Sequence, residues 1–318
     1  MNRPPRVVTF GEALGVLRTD RIGSLAHLGT LAVGTGGAEG NVAIGLARLG
    51  TPVTWLGRVG DDALGRRVLR ELRAEGVDVI GIVDGDAPTG LLLKETPSPG
   101  HTVVTYHRAG SAGSRLAPDD LDVLGLTAGD ILHLTGITPA LSDSARDTVD
   151  CALDLAETAG ATISYDVNHR SRLWRGRDAA AVHRRIAARA HLVFAGDDEA
   201  ELLAPGGGGP SARAAAIAAL GPTEVVITRG AAGVVALVEG VSLSFPAVRV
   251  DPVVDTVGAG DAFVAGYLAE RLAGRNAATR LGTALRTGAA ACLHPGDWEG
   301  TPTRAELAAV SSGDPVVR

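Results

Sequence analysis

Short runs of β-branched and aliphatic residues alternate along this chain with segments of helical periodicity, and that alternation constrains the fold more than any other feature. The strand runs are Val7–Phe10, Val53–Gly57, Ile131–Leu134, Thr162–Asp166, Leu192–Ala195 and Val225–Thr228. Between them Asn41–Leu49, Ala63–Glu75 and Ser142–Ala159 read as helices. In the last, Val149, Ala152, Leu153 and Ala156 recur at i, i+3, i+4 and i+7 behind Ser142 as the cap. The pattern predicts an α/β fold, a doubly wound and mostly parallel sheet flanked by helices. In such sheets ligands gather beyond the carboxyl ends of the strands, where Gly11-Glu12, Thr135-Gly136, Asp166 to Asn168 and Arg229-Gly230 all fall. One crevice is expected to collect them.

Two stretches, Gly15 to Gly34 and Val79 to Tyr106, break the alternation. The second holds strand-like pieces at Gly90–Lys94 and Thr102–Tyr106 with the turn-formers Pro97, Pro99 and Gly100 between them. They predict a small separate β-sheet whose edges need covering, by a partner subunit or by folding over the site as a lid. The domain expectation is therefore one main domain over residues 1–318 with lid segments at about 15–34 and 79–106. Gly206 to Gly209 reads as a surface loop and Ser311 to Arg318 as a frayed tail.

A net charge of −6 offers no basic field for nucleic acid or an anionic membrane, so small-molecule partners are expected. Lys94 is the only lysine, and no G-x-x-x-x-G-K-[ST] is present, so any nucleotide site is built without a Walker lysine. Two cysteines, Cys151 and Cys292, are too few and too far apart for a metal cluster or a disulfide framework, and they read as core thiols. With no apolar leader or long apolar run in sight, a soluble cytoplasmic protein is expected.

The segment from Asp255 to Leu268 carries the most chemistry. A turn of small residues, Gly258-Ala259-Gly260, leads directly into a helix, so unpaired amides and the positive helix end converge where phosphate oxygens can lie. Asp261 falls in the first turn of that helix. Alone it is an ordinary helix-start carboxylate; beside an anion site it becomes a candidate base for a hydroxyl attacking phosphorus. Gly36 and Gly37 allow close backbone approach to a polar ligand, and Asn41 offers donor and acceptor to hydroxyls, although a turn and a helix cap explain them equally.

This segment resembles the C-terminal signature of the ribokinase-like (PfkB) carbohydrate kinases. Gly36-Gly-Ala-Glu-Gly-Asn-Val-Ala43 and Gly57-Arg-Val-Gly-Asp-Asp62 resemble the N-terminal one. The resemblance implies that Asp261 is the catalytic base, that Gly258, Ala259 and Gly260 form the anion hole, and that ATP and Mg²⁺ are the cofactors. Thr228, Arg229 and Gly230 look similar to the family's ATP-contacting loop. Glu199 matches the glutamate of the family's N-x-x-E motif, associated with Mg²⁺ and phosphate, although Gly196 stands where the asparagine is usual. Dependence on a monovalent cation is left open.

Within the family, Tyr106 to Ser114, Leu132 to Ala140, Asp166 to Arg170 with Leu173-Trp174, and Gly296 to Gly300 look most like the kinases of 2-keto-3-deoxygluconate. By that resemblance Gly36, Tyr106, Arg108, Arg170 and Asp297 contact a sugar acid. Arg108 and Arg170 would neutralise its carboxylate through charge-assisted bonds. Leu92 departs from the tyrosine usual there. The alternatives are a kinase for a neutral sugar such as fructose or ribose, and a sugar-binding regulator without turnover; the intact Gly258-Ala-Gly-Asp261 argues against the second. A homo-oligomer formed through the β-lid is also expected.

Overall fold

A computed structural model describes residues 3–98 and 101–312. The strands are, in chain order, β1 (Val7–Phe10), β2 (Leu14–Thr19), β3 (Leu31–Gly36), β4 (Val53–Gly60), β5 (Asp78–Asp84), β6 (Leu91–Ser98) and β7 (His101–His107). They continue as β8 (Ile131–Thr135), β9 (Thr162–Asp166), β10 (Leu192–Gly196), β11 (Glu224–Thr228), β12 (Val234–Val238) and β13 (Val241–Phe245). The helices are α1 (Ala38–Arg48), α2 (Ala63–Ala74), the single turn α3 (Thr138–Leu141), α4 (Asp143–Ala159) and α5 (Ala179–Arg189). After them come α6 (Asp197–Leu203), α7 (Pro210–Ala218), α8 (Ala259–Leu272), α9 (Ala277–Ala291) and α10 (Arg304–Ser312).

The main sheet has the order β13-β12-β11-β10-β9-β8-β1-β4-β5. Pairing is parallel from β5 to β11 and antiparallel from β11 to β13. Strands buried on both faces alternate between two cores. In β1, Val7 packs into one core with Val42, Ile44 and Leu268 from α1 and α8, while Val8 and Phe10 pack into the other with Val149 and Leu153 from α4. The same alternation divides Leu192 and Phe194 of β10 from Val193 and Ala195. The expected doubly wound layout is therefore present, and the chain reverses direction across the sheet between β1 and β8.

Local signals explain several ends. Ser142 caps α4, its hydroxyl accepting from the Ala145 amide at 3.0 Å, and Gly160 closes the helix in the left-handed region at φ 68°. Asp62 caps α2 in the same way, accepting from Gly65 at 2.7 Å.

The small sheet expected as a lid, and called so below, has four strands in the order β3-β2-β6-β7, with β2 and β6 parallel and the outer pairs antiparallel. One expected boundary is corrected. Residues 79–84 belong to β5, which pairs with β4 over Thr54–Gly60 at the edge of the main sheet and not with the lid. Both sheets share a period of two, so only the open edge of β4 decides where that run goes. Pro97 lies within β6, whereas the expected turn residues Pro99 and Gly100 lie outside the described residues. Of the expected tail, Ser311 and Ser312 complete α10, and residues 313–318 lie outside the described residues. Cys151 and Cys292 are free and half-buried. Among the described residues, no helix is long and apolar enough to cross a membrane.

Candidate active site

The carboxyl ends of the parallel strands open onto a cavity of about 900 Å³. Its wall takes Glu12 from the end of β1, Asp166 and Asn168 from β9, Gly196 and Glu199 from β10 and α6, and Thr228, Arg229 and Gly230 from β11. From the lid come Leu92, Lys94, Val104, Tyr106 and Arg108, so one crevice joins the sheet edge to the lid.

The start of α8 lines this cavity. Its cap, Gly258, is left-handed at φ 76°, and a Cβ there would lie 1.7 Å from the Asp297 carbonyl oxygen. Only glycine fits on both counts. Gly258 and Gly260 line the cavity, whereas Ala259 does not, and its amide makes a long 3.3 Å bond to the Thr256 carbonyl. Of the three expected turn residues, two therefore face the cavity.

Asp261 follows in the first turn of α8, buried and lining the cavity. Asn41, 220 positions earlier in the chain, donates its side-chain amide to Asp261 Oδ2 at 2.7 Å. Burial pushes the Asp261 carboxyl up to about 7, with Asn41 and Arg170 pulling it down and Asp297 and Glu39 pushing it up. A carboxylate near neutrality that touches a cavity beside a helix N-terminus has the properties of a general base.

Asp166 stands nearby, and burial together with Glu199 and Asp261 holds its carboxyl well above the ordinary range. Asn168, left-handed at φ 36°, donates to Asp166 Oδ2 at 3.1 Å and leaves its own Oδ1 buried without a partner. Glu199 accepts the His169 amide at 2.7 Å on one oxygen and the Gly196 amide at 2.7 Å on the other. It is thus both the cap partner of α6 and a cavity-lining carboxylate.

Of the residues expected to contact the acceptor, Gly37, Asn41, Tyr106, Arg108, Arg170 and Asp297 all line the cavity. Gly36 lies behind the wall. A Cβ there would meet Asp297 Oδ2 at 2.3 Å, so this glycine makes room for a cavity residue without lining the cavity itself. Arg108 corrects the sequence expectation of two free cations. Its guanidinium is paired with the buried Glu12, Nε donating at 2.5 Å, and lies over the Tyr106 ring at 5.3 Å. Arg170 is exposed, lines the cavity and bonds to the His169 carbonyl at 3.3 Å, with no ion pair to a carboxylate among the described residues.

Sequence reasoning missed two polar members of the wall, Glu39 and Lys94, and the partners of a third, Glu12, whose place at the crevice was expected. Glu12, fully buried, takes Arg108 and Ser111. Glu39 accepts from Thr135 at 2.6 Å and Thr138 at 2.7 Å, and its other oxygen is buried without a partner. Lys94, 4% exposed, pairs with Asp255 and lies 3.7 Å from Asp297. Its signal was legible, because Leu92 and Lys94 sit two apart on one strand and so share the face toward the cavity. Leu92 itself packs against Leu14 and Val16 and presents no polar group.

These residues match those of known proteins over almost the whole chain. The family model described as pfkB family carbohydrate kinase matches residues 5–304. The 2-dehydro-3-deoxygluconokinase of Bacillus subtilis is 39% identical, covering 98% of this chain and 96% of its own. The 2-dehydro-3-deoxygalactonokinase of Haloferax volcanii is 34% identical over 89% of each chain. Among solved structures, the fructokinase of Vibrio cholerae in its fructose, ADP and calcium ion bound form superposes with a TM-score of 0.85 at 28% identity, covering 96% of this chain and 98% of that one. The chain belongs to the pfkB family of carbohydrate kinases.

Proposed function

We propose that this sugar kinase transfers the γ-phosphoryl group of ATP to a hydroxyl of a sugar acid, with 2-keto-3-deoxygluconate and its 6-phosphate as substrate and product. The observation that carries the mechanism is Asp261, a buried carboxyl with a pKa of about 7 held by Asn41 beside the Gly258 turn. In the proposed reaction Asp261 takes the proton of the acceptor hydroxyl as its oxygen bonds to phosphorus and the bond to ADP breaks. Charge that develops on the phosphoryl oxygens meets the amides of the turn and the positive end of α8. Thr228, Arg229 and Gly230, at the far side of the same cavity, would hold the nucleotide.

The acidic wall also fits Mg²⁺. Asp166 and Glu199 crowd their charges, and among the described residues Asn168 Oδ1 lacks a partner, so carboxylate and amide oxygens of the kind a hard cation prefers come together here. When bound, Mg²⁺ supplies neutralisation of the phosphate charge. Replacing Glu199 with Gln should raise the Mg²⁺ concentration needed for half-maximal rate several-fold. An unchanged midpoint would leave Glu199 with its capping role alone.

The acceptor assignment rests on Arg170, which lines the cavity with no ion pair to a carboxylate among the described residues, and on the similarity to a 2-dehydro-3-deoxygluconokinase and a 2-dehydro-3-deoxygalactonokinase. Arg170→Leu is expected to raise KM for the acid at least about tenfold, roughly 1.4 kcal/mol, and to change KM for fructose far less. Arg108→Leu should instead harm both acceptors alike, because it strands the buried Glu12 charge. An ADP-release screen of 2-keto-3-deoxygluconate, its galactonate epimer, fructose and ribose tests the assignment, and equal or better turnover of a neutral sugar rejects it. Closure of the lid over the acceptor and self-association through the same sheet, where Val33 is 43% exposed, complete the proposal. A monomeric mass by light scattering would remove the self-association.

A further inference from the structure

Lys94 is the one lysine of the chain, and its strand, β6, belongs to the lid. Its partners do not. Asp255 lies just before the phosphate turn, and Asp297 lies in the loop that precedes α10. All three side chains are at most one-tenth exposed, at 5%, 10% and 6%. A buried ammonium held between two carboxylates has little charge left to offer a ligand. It fixes instead the groups around it.

Those groups govern the turn. Asp255 Oδ1 accepts the Val257 amide at 3.1 Å, and Oδ2 accepts the Gly296 amide at 3.4 Å, so one carboxylate holds both the entry to the turn and the loop that carries Asp297. The Asp297 carbonyl in turn packs directly on Gly258. A second tie comes from the lid, where the Trp298 indole donates to the Thr35 carbonyl of β3 at 3.0 Å. The lid therefore grips the turn and the loop packed on it through the Lys94 side chain of β6 and the Thr35 carbonyl of β3.

We propose that Lys94 is a positioning residue, a latch through which the lid strand β6 sets the geometry of the Gly258–Asp261 turn by way of Asp255 and Asp297. This rests on the reading of that turn as the phosphoryl site. In this role Lys94 acts through its two carboxylates and not on acceptor or phosphate; it makes the lid and the turn one mechanical unit, so that a lid closed on acceptor presents the turn in its working shape. Loss of the ammonium displaces the turn whatever the acceptor is, and misplacement on the ångström scale costs rate.

The test compares wild type with Lys94→Met, Lys94→Arg and Asp255→Asn, the last keeping the shape of the pair while removing its charge. Two measurements are made on each protein: amide hydrogen exchange of residues 255–262, and kcat with KM for both an acid and a neutral sugar. Faster exchange of that segment in Lys94→Met and Asp255→Asn, with kcat lowered about tenfold or more on both sugars and partly restored in Lys94→Arg, is the expected result. Unchanged exchange in the segment would overturn the latch, and so would a defect confined to KM for the acid, which would make Lys94 a carboxylate reader. The exchange measurement needs no turnover. It therefore stands or falls separately from the acceptor assignment and from the role of Asp261.

Discussion

Replacing Asp261 with Asn should lower kcat by about 10²–10⁴ while leaving the KM for ATP nearly unchanged, the usual worth of a positioned general base. Asn fills the same volume and still offers a carbonyl to the Asn41 amide that bonds Oδ2 at 2.7 Å, so the fold has no reason to change. What is lost is the lone pair that takes the proton. A thermal melt within a few degrees of wild type, together with the rate loss, separates chemistry from stability. Near-full kcat in this variant would remove Asp261 from the reaction.

The second large effect belongs to the backbone. Gly258→Ala places a methyl group where the Asp297 carbonyl oxygen already lies, 1.7 Å from the ideal Cβ, at a φ of 76° that a side chain rarely adopts. Left-handed strain alone costs about 1–3 kcal/mol, and a backbone oxygen has no rotamer to give way. The turn must move, and removing one well-placed donor from an anion site costs about 10²–10³ in rate. A fall in kcat/KM for ATP of at least about 10² is expected, with a lower melting temperature. Gly282→Ala in α9 is the control. Its Cβ meets open space, so activity should persist and stability rise by about 0.5–1 kcal/mol. Equal behaviour of the two variants would mean that the turn does not depend on its geometry.

The parts of this site that lie along one stretch of chain were legible in the sequence, and the parts assembled from distant stretches were not. The Gly258 turn, Asp261, and the strand ends at Asp166 and Thr228 could be placed because period, turn residues and helix start sit side by side. The pairing of Asn41 with Asp261 spans 220 positions, and that of Lys94 with Asp255 spans 161, so no local pattern announces either. Arg108 shows the reverse error. Its charge looked free because its partner, Glu12, is 96 positions away, at the end of a strand whose apolar neighbours gave no sign of a buried carboxylate. Likewise β5 read as part of the lid, since alternation tells that a strand forms and not which open edge receives it. The antiparallel pair β12 and β13 went unplaced in a similar way, lying beyond the parallel repeat that organised the rest.

If Asp261 accepts the proton, its own titration must appear in the rate. With burial raising the carboxyl to about 7, the base is increasingly ionised as pH rises, so kcat/KM for the acceptor should climb through an acid limb centred near that value. The Asn41 amide, facing Asp261 from α1, and Arg170, from the loop after β9, favour the ionised form, whereas Asp297 and Glu39 oppose it. Removing Asn41 therefore has a defined sign: in Asn41→Ala the limb should move to higher pH, with rates recovering toward wild type above it. The decisive measurement is the pH profile of kcat/KM in both proteins from about pH 5 to 9. A limb near 7 that shifts upward in the variant is the result this account requires; a flat profile, or a limb that stays in place when Asn41 is gone, would contradict it.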